Sequence, residues 1–104
     1  MKFTTALALF AVGCTAHATP APSQDHAMKV LMFCTAASEY VEEVAERRDQ
    51  GITLAEEEAT IDKAAADPES AATLKRLAAN PYKNRRIPPT TLAAEAFKYC
   101  MQQN

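Results

Sequence analysis

Two cysteines, Cys34 and Cys100, constrain the fold of this chain more than any other feature. They lie about 66 residues apart, and each falls on a row of apolar residues with helical spacing. If they pair, the first and last helices must lie side by side, and closing so long a loop removes unfolded-state entropy worth about 4 kcal/mol. Pairing depends on export, because disulfides persist in oxidising compartments. Two separate buried thiols are the alternative.

The N-terminus has the composition of a secretory signal peptide. Lys2 is followed by an uncharged apolar run through Val12, which is too short to span a bilayer. The sequence Ala16-His17-Ala18 then places small residues where a signal peptidase cuts. We therefore predict that residues 1–18 are a signal peptide.

Cleavage after Ala18 would release a protein that begins at Thr19, with an extended Pro-rich segment over residues 19–25. It would discard Cys14 and leave two cysteines, so we predict a Cys34–Cys100 disulfide and a periplasmic or secreted location. The alternative is a lipoprotein cut before Cys14. The protein would then be anchored to a membrane through that residue, whereas without lipidation we expect no membrane association.

The composition predicts a small helical domain. Cleavage leaves about 86 of the 104 residues, enough for one domain with a modest core. The chain has two glycines, no tryptophan and many alanines, a composition that favours helices over strands and hairpins. Loss of Lys2 gives a net charge of about −3, which argues against general nucleic-acid binding because phosphates require a basic surface.

Apolar periodicity and capping signals predict an all-α bundle of three or four helices over residues 26–104, closed by the disulfide between the first and last helices. The first helix should cover about residues 25–50 and stop at Gly51. Its predicted inward stripe contains Val30, Cys34, Ala37, Val41 and Val44, widened by Phe33 and Tyr40. A second helix should start at Thr53, which forms a capping box with Glu56.

The third helix should begin at Asp67-Pro68, where aspartate caps the helix and proline occupies its first position. We expect it to stop before Pro81 and to be followed by a long loop over residues 80–91. Thr90 or Thr91 should cap the last helix. The predicted inward residues of the last two helices are Ala71, Leu74, Leu77 and Ala78, then Ala93, Ala96, Phe97 and Cys100.

Charge is distributed unevenly along the chain. Residues 39–58 carry eight acids and two arginines, whereas residues 75–98 carry six bases and one acid. Either the two halves attract each other within the bundle, or they present acidic and basic surfaces to a partner. The predicted loop is the candidate partner-binding site, because its three cations lie beside two apolar side chains: Tyr82, Lys83, Arg85, Arg86 and Ile87. The alternative is a connector whose apolar residues only close the end of the bundle.

No motif for catalysis or cofactor binding is visible. His26 is the only histidine left after cleavage, and its neighbour Asp25 does not face it on a helix. The carboxylate pairs Glu39/Glu43 and Glu42/Glu46 lie on a polar face, where solvation is the simpler explanation. We therefore expect no enzyme activity, no cofactor and no bound metal.

The sequence also resembles a group of small exported proteins of Gram-negative bacteria with the pattern Cys, Ala-x-x-Arg-Asp-x-Gly, Tyr, Pro, Cys. The matching residues are Cys34, Arg48, Asp49, Gly51, Tyr82, Pro89 and Cys100. The resemblance implies the fold and the location, and it implies no mechanism. It marks Arg48, Asp49 and Gly51 as structural residues.

These observations favour a non-enzymatic interaction module in the cell envelope, such as an inhibitor, an immunity-type protein or an accessory factor with an unidentified protein partner. A structural or stress-protective envelope protein that acts through exposed apolar surface is the second hypothesis. A small enzyme that binds an anionic metabolite through Arg47 or Arg48 is a third and more remote one.

Overall fold

The computed structural model describes the backbone from Ala21 to Asn104 and the side chains from Gln24 onward. This part of the chain contains no strand and four α-helices: α1 (Ala21–Asp49), α2 (Leu54–Ala64), α3 (Pro68–Lys83) and α4 (Pro89–Gln103). The predicted all-α class is therefore confirmed. The predicted signal peptide and both alternative cleavage positions lie outside the described residues.

Internal contacts divide the chain after Val30. The described part of the first unit, residues 21–30, forms the start of α1, and the second unit, Leu31–Asn104, contains the packed helices. Because α1 begins at Ala21, residues 21–25 are helical, and the extended conformation predicted for them is wrong. Pro22 lies in the first turn, where a missing backbone donor breaks no helical hydrogen bond.

The end of α1 has the predicted glycine stop. Gly51 has a φ of 98°, a left-handed conformation that costs glycine little. Its N–H donates to the Arg48 carbonyl and the Ile52 N–H donates to the Arg47 carbonyl, each at 3.0 Å. These two bonds form a Schellman motif, which satisfies two carbonyls at the end of α1 and turns the chain towards α2.

The start of α2 and the start of α3 also match the prediction. Thr53 and Glu56 form the capping box, in which each side chain accepts a hydrogen bond from the backbone N–H of the other. Asp67 accepts a hydrogen bond of 2.7 Å from the Ser70 N–H, and Pro68 occupies the first turn of α3.

The end of α3 differs from the prediction, because the helix continues through Pro81 to Lys83. A proline in the last turn removes only one helical hydrogen bond, and the next turn still closes when the Asn84 N–H donates to the Asn80 carbonyl at 3.1 Å. The Asn84 side-chain amide donates to the same oxygen at 3.1 Å. The predicted loop over residues 80–91 is therefore only the short connection 84–88.

The start of α4 also corrects a prediction. The N-cap is Pro88, which provides no side-chain cap, and the helix begins at Pro89. Thr90 and Thr91 are thus already inside the helix and do not cap it. A proline at the first helical position is favourable because its φ is already helical and no partner exists there for an N–H.

Among the residues that the structure describes, the core consists of two clusters, both of which include residues of α1. The first cluster joins α1 to α2 and α3 through Val44, Ile61, Ala78 and Tyr82. The second joins α1 to α4 through Val41, Ala45 and Leu92. Helix α1 is therefore the element on which the other three pack.

Two large apolar side chains depart from the predicted inward stripes. Phe33 was expected to widen the stripe of α1, but its side chain is 58% exposed. It lies on the helix beside the row of buried residues that runs from Cys34 to Val41. Leu92 is fully buried although it was not among the predicted inward residues of α4. The other large side chain beside the stripe of α1, Tyr40, packs against the first cluster as predicted.

Cys34 of α1 and Cys100 of α4 form a disulfide, with their Cα atoms 5.5 Å apart. The predicted link between the first and last helices is therefore confirmed. A disulfide of this kind is typical of an oxidising environment outside the cytoplasm. Within the described residues, no helix is both long enough and apolar enough to cross a membrane.

Candidate functional site

The connection between α3 and α4 is held in place by a buried arginine of α1. The side chain of Arg48 is 4% exposed. Its Nη1 donates to the carbonyls of Pro81 at 2.8 Å and Asn84 at 3.1 Å, and its Nη2 donates to the carbonyl of Ile87 at 3.0 Å. One planar guanidinium therefore fastens the last turn of α3 and the following loop to α1.

The charge of Arg48 is balanced at the edge of the bundle. Its Nε and Nη2 both lie 2.9 Å from the same carboxylate oxygen of Asp49, whose side chain is half exposed. The remaining N–H groups face carbonyl oxygens, each of which carries a partial negative charge. Guanidinium suits this position because its donors diverge in one plane, whereas an ammonium group is a compact charge on a flexible chain.

Tyr82, at the end of α3, anchors the same region through a second set of contacts. Its ring is buried in the first core cluster, and its hydroxyl donates a hydrogen bond of 2.6 Å to the Ile52 carbonyl, just after α1. Burial raises the pKa of Tyr82 above 10.0, and the negative charge of Glu57 raises it further. Tyr82 is thus a neutral hydrogen-bond donor that links the end of α3 to the α1–α2 turn.

We call Lys83, Arg85 and Arg86 the loop cations. All three are exposed, and among the residues that the structure describes none of them forms an ion pair. Arg85 lies over the ring of Tyr82, with its guanidinium carbon 5.7 Å from the ring centroid, within cation–π range. The three charges therefore project from the last residue of α3 and from the following loop, whose backbone is held in place by Arg48.

The structure divides the five predicted contact residues into two groups. Tyr82 is only 8% exposed, and Ile87 is half-buried against the second core cluster. These two side chains are anchors of the loop and leave little apolar surface for a partner. The surface available to a partner consists of the loop cations, over a shallow depression of about 340 Å³ formed by residues 82–87.

Most of the bases in the second half of the chain are not neutralised by the acidic first half. Lys75 pairs with Asp62 at 2.7 Å, but Asp62 lies outside the acidic segment 39–58. Within the described part of the chain, no ion pair joins that segment to the basic segment 75–98. The hydrogen bond between Lys75 and Asp62 raises the pKa of that lysine. The predicted attraction between the halves therefore forms no direct ion pair among the described residues, and it leaves the loop cations without an acidic partner there.

The acidic half has its own internal ion pair. Arg47 donates two hydrogen bonds to Glu57, from Nε to Oε1 and from Nη2 to Oε2, the second of 3.2 Å. Glu57 is 3% exposed, and this pair joins α1 to α2. The hydrogen bond raises the pKa of Arg47. Burial, followed by the charge of Glu57, raises the pKa of the neighbouring Tyr40.

A second surface feature is a groove of about 600 Å³ between α1, α3 and α4, which we call the apolar groove. Its apolar lining includes Phe33, Ala37, Val41, Leu77, Ala96 and Tyr99. Phe33 and Tyr99 are 58% and 66% exposed. Arg76 of α3 and Glu95 of α4 line the same groove with opposite charges.

Two of these features were missed by sequence reasoning. A structural role for Arg48 follows in the sequence analysis only from a resemblance, although Cys34, Ala37, Val41, Val44 and Arg48 follow each other at alternating steps of three and four. A charge on an apolar stripe was the available signal. The apolar groove left no such signal, because its walls come from three helices distant in sequence.

No metal-binding group of three or more acidic, histidine or cysteine side chains occurs in the described part of the chain. No protein-family model matches the chain, and comparisons with curated proteins and with solved structures find no match either.

Proposed function

We propose that the protein is a non-enzymatic interaction module that binds an acidic surface of a partner protein through the loop cations. The observation that carries this proposal is the fastened loop, in which Arg48 and Tyr82 hold the backbone while three cations remain exposed and unpaired within the described structure. An inhibitor, an immunity-type protein or an accessory factor would each act in this way.

Because Arg48 and Tyr82 hold the loop in place, less conformational entropy is lost when a partner binds it. A flexible loop loses conformational entropy when a partner orders it, whereas a loop already held on its inner side loses less. Arginine also suits such a surface, because its donors match carboxylates in pairs. The arrangement therefore supports recognition of carboxylate groups at short range and electrostatic attraction at longer range.

The proposed site of action is the periplasm or the exterior of the cell. Support comes from the Cys34–Cys100 disulfide and from the signal-like composition of residues 1–18. Release after Ala18 remains our expectation, with anchoring through Cys14 as the alternative. Intact mass of the exported protein distinguishes them, because lipidation adds acyl chains to a form that begins at Cys14.

The enzyme hypothesis required a free guanidinium in a pocket, at Arg47 or Arg48. The donors of Arg48 are directed at three carbonyls and at Asp49, and Arg47 is bound by Glu57 through two hydrogen bonds. An anionic metabolite would have to displace these contacts. The observation therefore favours interaction over catalysis.

The test is capture of partners from envelope extract by the immobilised, disulfide-bonded protein, with quantitative mass spectrometry. The variant Lys83→Ala/Arg85→Ala/Arg86→Ala should lose the specific partner while keeping its thermal stability. A matched control removes three cations outside the loop that are exposed and lack ion pairs in the described structure: Lys29, Lys63 and Lys98. If both variants lose capture equally, only net charge matters, and the proposal for the loop is wrong.

A second candidate function has its own observation. Several large apolar side chains of the packed unit are exposed: Leu31, Met32, Phe33, Tyr99 and Met101. A stress-protective protein would use such surface to hold unfolded clients. This candidate predicts that the protein suppresses aggregation of a reduced, unfolded test protein and that the loop variant does so equally well.

A further inference from the structure

We infer that the apolar groove is the contact surface for a second copy of this chain, in a two-fold symmetric dimer. The proposal rests on the groove and its charges and is independent of the loop cations. It begins from the exposure of Phe33 and Tyr99, each more than half exposed at the groove. Large aromatic side chains exposed beside an apolar depression are typical of protein contact sites.

The shape of the groove suits a helical surface. Its residues on α3, from Thr73 to Asn80, and on α4, from Glu95 to Gln103, recur at helical spacing and so line about two turns of each helix. The apolar lining includes Ala37 and Ala96, whose short side chains let a neighbouring aromatic ring approach closely. The groove therefore accepts an aromatic side chain presented by another helix, such as Tyr99 of the second copy.

The charges of the groove favour a second copy of the chain over other possible ligands. Arg76 and Glu95 line the groove from α3 and α4, and neither forms an ion pair among the described residues. In a two-fold interface every contact between two different residues occurs twice. In the proposed dimer Arg76 of one copy contacts Glu95 of the other, and symmetry repeats this ion pair. Both charges are then satisfied by the chain itself.

Other occupants satisfy the charges less well. An anionic amphiphile such as a fatty acid would pair with Arg76 but would also bring its negative head near Glu95. A helix from another protein would need an acid and a base in the matching order, which nothing in this structure supplies. A second copy carries that pair by symmetry.

The test is sedimentation velocity of the exported, disulfide-bonded protein across a concentration series. The wild type should show a monomer–dimer equilibrium. Arg76→Glu and Glu95→Arg should each raise the dimer Kd by about tenfold or more, because each places like charges together at two symmetric positions. The double variant Arg76→Glu/Glu95→Arg should restore dimerisation. As a control, Lys63→Glu on α2, which contributes nothing to the groove, should leave Kd unchanged.

Three results would overturn the inference. In the first, the wild type stays monomeric at every concentration. In the second, Arg76→Glu and Glu95→Arg each dimerise as well as the wild type, so that another surface forms the dimer. In the third, native mass spectrometry of the purified protein finds a monomer that carries a co-purified lipid or peptide, so that the groove belongs to that occupant. None of these results affects the loop proposal, which partner capture tests separately.

Discussion

Replacing Arg48 by methionine would remove the fastening of the loop while keeping an unbranched side chain of similar length. Three carbonyl oxygens, of Pro81, Asn84 and Ile87, would lose their donor. Each hydrogen bond to a charged group contributes about 1.5–3 kcal/mol, and the exposed carboxylate of Asp49 loses little when its partner is removed. Because the three bonds share one group and do not add fully, we expect a loss of about 3–5 kcal/mol.

Urea unfolding followed by circular dichroism, at one protein concentration, measures this loss. The matched control is Arg86→Met, the same substitution at an exposed position of the same loop, for which we expect a change within about 0.5 kcal/mol. Arg48→Lys should recover only part of the loss, since one ammonium cannot reach all three carbonyls in the geometry of the guanidinium. If Arg48→Met destabilises the protein no more than Arg86→Met, the loop is not held by Arg48.

Three further predictions concern other parts of the fold. Removal of the disulfide by Cys34→Ala/Cys100→Ala should lower the free energy of unfolding by about 4 kcal/mol, from the loop of 66 residues that it closes; a urea midpoint equal to that of the wild type would contradict this. Asp67→Ala should lower the urea midpoint through loss of the N-cap of α3, whereas Asp67→Asn should keep most of the wild-type midpoint; equal midpoints for Asp67→Ala and the wild type would contradict this. A raised folded-state pKa means that Tyr82 contributes stability that is fully present below its unfolded pKa of 10.0 and is lost as the pH rises through the folded pKa. Above pH 10 the urea midpoint of the wild type should therefore fall more steeply than that of Tyr82→Phe, and parallel pH profiles would refute this.

Features encoded in short segments were predictable from the sequence. The capping box of Thr53 and Glu56, the Asp67 cap and the stop at Gly51 each depend on residues within one or two turns. The pairing of Cys34 with Cys100 was also predictable, because both cysteines fall on apolar stripes of helices.

Features that depend on tertiary contacts were not predictable. Pro81 is a helix breaker by local rules, but α3 continues past it to Lys83, where Arg48 binds the Pro81 carbonyl and Asn84 closes the last turn. Because α3 extends to Lys83, Tyr82 lies in the first core cluster. The predicted contact site therefore exposes its cations but not its aromatic side chain. Phe33 was assigned to the core because periodicity gives the face of a helix but not how far the neighbouring helices cover it.

The measurement that tests the proposed function most directly is the salt dependence of binding between the captured partner and the protein, by titration calorimetry. For the wild type, the affinity should fall as salt rises, because salt screens exposed charges. For Lys83→Ala/Arg85→Ala/Arg86→Ala, the affinity should be lower at low salt and should change little as salt rises. Equal affinities and equal salt dependence for the two proteins would contradict the account and place the contact surface outside the loop.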